Sequence, residues 1–167
     1  MIADPGRRGR ALAEFYAAVT PRLFRDLVES EALPAGGNAR AEAQARAEWE
    51  CFALYACVRA LVAAGGFNRE TGAAIEALHE AALAAGSDPA SPDHDRRARI
   101  AERYAEYGAI GQEGGAAGAE SVKRRLGEAA ARHMAAPAAA SATLAEIAGS
   151  LHEQLVEGAT EAVRVAE

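Results

Sequence analysis

Alanine fills 46 of the 167 positions, and no other feature of the sequence restricts the fold as strongly. Alanine has the highest intrinsic helix propensity. Sheets depend on β-branched and aromatic side chains, and only 5% of the residues are aromatic. The hydrophobic fraction of 50% is too high for a disordered chain. We therefore predict an all-α protein.

The length is that of one domain, so we predict a single-domain antiparallel helical bundle of about six helices over 1–167. Residues 1–7 are expected to form a loose N-terminal arm. The alanine-rich segment 135–142, around Pro137, is expected to be a hinge before a C-terminal helix. Whether Pro21 starts a new helix or kinks the first one is left open. Apolar periodicity and capping signals predict helices at 8–19, 21–33, 39–64, 69–85, 92–112, 116–136 and 143–166.

The segment 49–62 is apolar on almost every helical face, which is typical of a helix in the middle of a bundle. We expect Phe52, Leu54 and Val58 to be buried. The two charged residues of this segment, Glu50 and Arg59, lie on opposite sides of the helix and cannot pair with each other.

Each of these two charges therefore needs a partner from another helix, because an unpaired buried charge is costly. The candidates for Arg59 are Asp26, Glu29 and Glu76. The candidates for Glu50 are Arg99 and Arg103.

One Glu-x-x-His pair, Glu76 with His79, places a carboxylate and an imidazole on one helix face. Di-iron bundles of the ferritin type use this pair twice. None of the other histidines has a carboxylate three residues before it. We therefore predict no metal and no cofactor. Whether Glu50, Arg59, Glu76 and His79 line a pocket or are structural stays open.

No catalytic residue is assigned. The chain has no Gly-x-Ser-x-Gly motif, and Cys51 and Cys57 lie in the segment predicted to be buried, which disfavours a reactive thiolate. The charged N-terminus lacks the apolar core of a secretory signal. We expect a cytoplasmic protein with reduced thiols. The excess of arginine and alanine is typical of bacterial proteins from GC-rich genomes.

Membrane and nucleic-acid partners are not expected. No run of 18 apolar residues is present, and the net charge of −6 disfavours binding to nucleic acid. Residues 143–148 resemble the first helix of a helix-turn-helix, but no recognition helix follows. The basic cluster 123–125 is interpreted as a solvated helix face.

The C-terminal helix carries one long apolar stripe, which forms either a dimer contact or a contact with its own bundle. Its members are Leu144, Ile147, Leu151, Leu155, Ala159 and Val163.

The leading functional hypothesis is a non-enzymatic helical bundle acting through contacts with itself, as a homodimer, or with a partner protein. A second hypothesis is a bundle that binds a small ligand. A third is a helical metalloenzyme with a carboxylate and histidine site. The ligand pocket of the second hypothesis would be lined by Trp49, Phe52, Tyr55, Arg59 and His79.

Overall fold

The computed structural model describes residues 4–33, 38–85, 93–114, 118–136 and 140–166. About 90% of these residues are helical, and no strand occurs among them. The prediction of an all-α bundle of about six helices is confirmed. The helices are α1 (Pro5–Glu29), α2 (Ala39–Gly65), α3 (Arg69–Ala85), α4 (Asp93–Gly114), α5 (Ala119–Met134) and α6 (Ala142–Ala166).

The first helix starts three residues earlier than predicted and includes most of the segment 21–33, ending at Glu29. The carboxylate of Asp4 accepts a hydrogen bond from the Gly6 amide, 3.1 Å away, and Pro5 takes the first helical position. Residues 5–7 are therefore helical rather than part of a loose arm, and 1–3 lie outside the described residues. The helix continues through Pro21 to Glu29, so 8–19 and 21–33 are not two separate helices.

The other helix ends follow local chemistry. The Asn38 side chain accepts hydrogen bonds from two amides of the first turn of α2, and the Asn68 side chain accepts one from the Thr71 amide of α3. Gly118 has a φ of 88°, a left-handed conformation that favours glycine. This explains why α5 starts at Ala119 rather than at 116. The centre of the predicted hinge, 137–139, lies outside the described residues.

Helices α4 and α5, which are adjacent in sequence, run antiparallel. Glu106 of α4 pairs with Arg132 of α5, whereas Glu113 pairs with Arg125. The most extensive helix contacts are α1 with α3 and α5 with α6. In the α5–α6 contact, a Cβ atom on Gly127 would overlap the carbonyl oxygen of Ala145. The two helix axes therefore approach as closely as only glycine allows.

The central position of α2 is confirmed. Trp49 and Phe52 are fully buried, and Leu54 is 3% exposed. Val58, which we expected to be buried as well, is only half-buried. Side chains from α1, α4, α5 and α6 surround Phe52 in the larger of two apolar clusters, and Leu54 belongs to the smaller one.

Candidate functional site

The aromatic residues predicted to line a ligand pocket pack against other side chains in the core. The indole Nε1 of Trp49 donates a hydrogen bond to the carbonyl of Thr20, 3.0 Å away. The Phe52 ring contacts Trp49 edge-on and lies 4.2 Å from the His152 ring, which stacks on it. Tyr55 is half-buried and contacts the rings of Tyr104 and Tyr107. These contacts place Trp49 and Phe52 in the larger apolar cluster, with Tyr55 packed against it.

The two polar candidates, Arg59 and His79, have different partners. Arg59 pairs with Glu153 of α6 at 2.8 Å, so none of the three partners proposed for it is correct. The Nε2 atom of His79 lies 2.9 Å from the Tyr104 hydroxyl. Glu76 is exposed. Within the described residues, no three His, Cys, Asp or Glu side chains come together as a metal site would require.

The arginines proposed for Glu50 contact Glu48, the one Asp, Glu, Lys or Arg side chain that is buried among the described residues. Arg99 also lines a cavity together with Glu50. Arg103 contacts both carboxylate oxygens of Glu48, at 2.7 and 3.1 Å, and Arg99 lies 3.6 Å from one of them. The Gln44 amide donates a further hydrogen bond to the same carboxylate. Glu48 thus has the charged and polar partners that its burial requires.

Next to this ion pair, a cavity of about 230 Å³ opens between α2, α3 and α4, with Tyr16 of α1 at its edge. We call it the Glu50 cavity. Its polar wall consists of Glu50 and three arginines. Its apolar wall comes from α2, α3 and α4. The lining residues are Tyr16, Ala43, Arg46, Ala47, Glu50, Cys51, Leu54, Ala82, Leu83, Arg96, Arg99 and Ile100.

A second cavity, of about 200 Å³, continues from the first along α1. The two cavities share Tyr16, Glu50, Ala82 and Arg96. Glu50 and Arg96 therefore stand where the two spaces meet. Two larger depressions, between α1 and α6 and between α5 and α6, are lined mainly by exposed charged side chains and small residues.

The charges of the Glu50 cavity are unusual for this acidic chain. Three guanidiniums and one carboxylate line the cavity, a formal charge of +2 for the lining itself. Two of these arginines also pair with acids beside the cavity, Arg46 with Glu42 at 3.4 Å and Arg99 with Glu48 at 3.6 Å. Burial raises the pKa of Glu50 above its usual value, and the positive charges of Arg96, Arg46 and Arg99 oppose that rise. The Tyr16 hydroxyl donates a hydrogen bond to the backbone carbonyl of Glu50, 3.3 Å away.

The two cysteines are free and buried. Burial raises the pKa of Cys51 and of Cys57 to about 12, so both thiols stay protonated near neutral pH. A protonated thiol is a poor nucleophile. Cys51 therefore contributes a small neutral side chain to the cavity wall.

The predicted dimer stripe on α6 lies inside the bundle. Leu144, Leu155 and Val163 are at most 1% exposed, and Ala159 is fully buried. Ile147 and Leu151 are half-buried and pack against the same core. Of the two alternatives for this stripe, contact with the chain's own bundle is observed. The stripe is therefore not a free surface for a second copy.

The basic cluster on α5 is balanced by acids. Arg124 pairs with Glu128 at 2.6 Å, Arg125 with Glu113 at 2.8 Å, and Lys123 with Glu120 at 3.8 Å. These pairs agree with the interpretation of residues 123–125 as a solvated helix face.

Sequence reasoning noted Glu50, Cys51 and Arg99 but missed Tyr16, Arg46 and Arg96 as cavity residues. The spacing of the charged residues along the sequence could have indicated that Arg46 and Arg96 belong to the cavity. Arg46 and Glu50 are four residues apart on α2, and Arg96 and Arg99 are three apart on α4, so each pair projects from one helix face. His152 was also missed, although it is buried on α6 together with Ala145, Ala148 and Gly149.

No protein-family model matches this chain, and comparison with curated proteins and with solved structures gives no significant match. No helix in the described ranges combines the length and the apolar character needed to cross a membrane.

Proposed function

We propose that this helical bundle binds a small organic anion in the Glu50 cavity and acts as a binding protein rather than as an enzyme. The observation that carries the proposal is the concentration of Arg46, Arg96 and Arg99 around one cavity, in a chain whose net charge is −6. Guanidinium groups bind carboxylates and phosphates through several parallel hydrogen bonds.

The apolar wall indicates that the ligand has an apolar body. Leu54 and Leu83 are almost fully buried, and Ile100 is half-buried. Small-molecule sites are typically apolar, with a few placed polar groups that orient the ligand. At about 230 Å³ the cavity is smaller than the roughly 300–1,000 Å³ of sites for drug-sized ligands. The ligand is therefore a small acid, on the scale of one ring or a short alkyl chain.

Contact with another protein was the leading hypothesis from the sequence, and it remains a prediction. The surface proposed for this contact, the α6 stripe, is buried in the chain's own bundle. The large apolar side chains exposed on the described residues are Phe67 and Val165, which are 94% and 74% exposed. Single exposed apolar residues are common on protein surfaces and do not define an interface.

The proposed setting is the reducing cytoplasm of a bacterium. The two free, buried thiols support a reducing compartment. The arginine-rich, alanine-rich composition supports a bacterial source.

A calorimetric titration with benzoate tests the binding function. We expect the wild-type protein to bind benzoate and Arg96→Gln to bind it about 10–100-fold more weakly, because a charged hydrogen bond contributes roughly 1.5–3 kcal/mol. Arg97→Gln is the matched control, because Arg97 is the next residue on α4, is exposed and does not line the cavity. Equal affinity in both variants, or no binding by the wild type, would refute the proposal.

A further inference from the structure

The position of Glu50 among the arginines distinguishes between two classes of anion. Arg46 precedes Glu50 by one helical turn, and Arg96 and Arg99 face the cavity from α4. Glu50 and these three arginines line the same cavity, and their positive charges oppose the rise of the Glu50 pKa that burial causes. Glu50 therefore occupies the region in which a bound anion would place its own negative charge.

The other titratable groups around Glu50 keep their charge between pH 5 and 8. Burial raises the pKa of Tyr16, on α1, and of Cys51, on α2, so both stay neutral. The residues that α3 places in the wall, Ala82 and Leu83, carry no charge. The remaining ionisable residues of the lining are arginines, a residue type that stays protonated in proteins. Only Glu50 can change the charge of the lining in this range.

An incoming carboxylate meets an ionised Glu50 as a like charge. Two like charges at close range repel each other, and they do so more strongly in a partly buried site than in water. A proton on Glu50 removes this repulsion and leaves the lining with three positive charges. Burial raises the pKa of Glu50, which favours this protonation, while the neighbouring arginines oppose it.

Resting on the proposed function, we infer that the ligand is an anion without a positive group, and that Glu50 takes up a proton from solvent when the ligand binds. In the unliganded cavity Glu50 lies among the three arginines, of which Arg46 also pairs with Glu42 at 3.4 Å and Arg99 with Glu48 at 3.6 Å. The bound anion takes the place of the Glu50 carboxylate among these arginines. A zwitterion such as an amino acid would behave differently, because its ammonium group would keep Glu50 ionised.

The test is a set of titrations with benzoate and with phenylalanine, which present similar rings as an anion and as a zwitterion. For wild-type protein we expect benzoate to bind about tenfold more tightly at pH 5.5 than at pH 7.5. This ratio corresponds to ~1.4 kcal/mol. We expect Glu50→Gln to bind benzoate at pH 7.5 as tightly as the wild type does at pH 5.5, with no dependence on pH. Glu76→Gln, on an exposed face of α3, should behave as wild type.

A second measurement uses only the wild-type chain and does not depend on the folding of a variant. Benzoate binding at pH 6.5 is titrated calorimetrically in bis-Tris and in imidazole, two cationic buffers with different ionisation enthalpies. The difference in observed heat reports the number of protons taken up, and we expect net uptake.

The outcomes separate the inference from the function on which it rests. Benzoate binding without proton uptake and without pH dependence would overturn the inference and leave the binding function in place. Tighter binding of phenylalanine, weakened by Glu50→Gln, would show that the ligand is a zwitterion and would also overturn it. Failure of the wild type to bind either compound would overturn the binding function itself.

Discussion

His152 is the most heavily buried histidine of the described chain, and neither of its ring nitrogens has a hydrogen-bond partner among the described residues. It is held between the rings of Phe52 and Tyr55. Burial, with the nearby positive charge of Arg59, keeps the pKa of His152 well below its usual value. An unsatisfied buried polar group lowers stability by about 1–3 kcal/mol.

This environment predicts acid sensitivity. Below about pH 6.5, His152 binds a proton in the unfolded chain but not in the folded one. The free energy of unfolding therefore decreases as the pH is lowered. The slope from this residue reaches ~1.4 kcal/mol per pH unit. His79 acts in the same direction, because burial also lowers its pKa.

We expect His152→Leu to raise the free energy of unfolding by about 1–3 kcal/mol at neutral pH and to reduce the loss of stability on acidification. Urea unfolding at pH 7.5 and pH 5.5 measures both effects. His94→Leu, at an exposed position of α4, is the control and should change stability by less than about 0.5 kcal/mol. An unchanged pH dependence in His152→Leu would contradict this account of the residue.

At the scale of helices, the α5–α6 contact depends on Gly127. We expect Gly127→Ala to lower the free energy of unfolding by about 1–3 kcal/mol, because the added methyl group would overlap the backbone at Ala145. Gly108→Ala is the matched control. It also replaces a helical glycine, but no atom lies within 4 Å of the added Cβ, so it should stabilise by up to about 1 kcal/mol. Chemical denaturation of both variants measures the difference, and equal shifts would contradict the close approach.

The helices were predictable because their signals are local. Asn38 and Asn68 cap helices from within one turn, and glycines mark several ends. The cavity was predictable only in part, because spacing places Arg46 with Glu50 on one face of α2 and Arg96 with Arg99 on one face of α4 but does not place the two faces next to each other. Arg99 and Arg103 were assigned to Glu50, but the relative position of α2 and α4 places them on Glu48, two residues earlier. That relative position depends on the packing of Phe52 and Tyr55 against Tyr107, which no local pattern encodes.

At Pro21 a local signal was misleading. A proline within a helical pattern predicts a boundary or a kink, yet α1 continues to Glu29. The packing of Phe24 and Leu27, both of which belong to the larger core cluster, favours a continuous helix. Tertiary contacts therefore outweigh the local signal at this position.

At the scale of the whole molecule, α6 is a structural helix of the bundle. We expect Leu155→Glu to unfold the protein rather than to release a folded monomer, because Leu155 is 1% exposed and the new carboxylate would be buried without a partner. Gln154→Glu, the exposed neighbour, is the control and should stay folded. Far-UV circular dichroism with light scattering separates the outcomes. A folded Leu155→Glu chain of 17.3 kDa from a dimeric wild type would restore α6 as the interface.

The predicted homodimer stays a prediction, without an assigned surface. Light scattering of the wild type at micromolar concentration tests it, and a mass of 17.3 kDa would refute it.

The central claim is that the Glu50 cavity holds a small organic anion. Its most direct test is a crystal structure of the wild-type protein with 4-iodobenzoate, collected at a wavelength at which iodine scatters anomalously. We predict an iodine peak in contact with Leu83 and Ile100, with the carboxylate bound by Arg96 and Arg99. Iodine bound only elsewhere on the protein, with the cavity empty at saturating ligand, would contradict it.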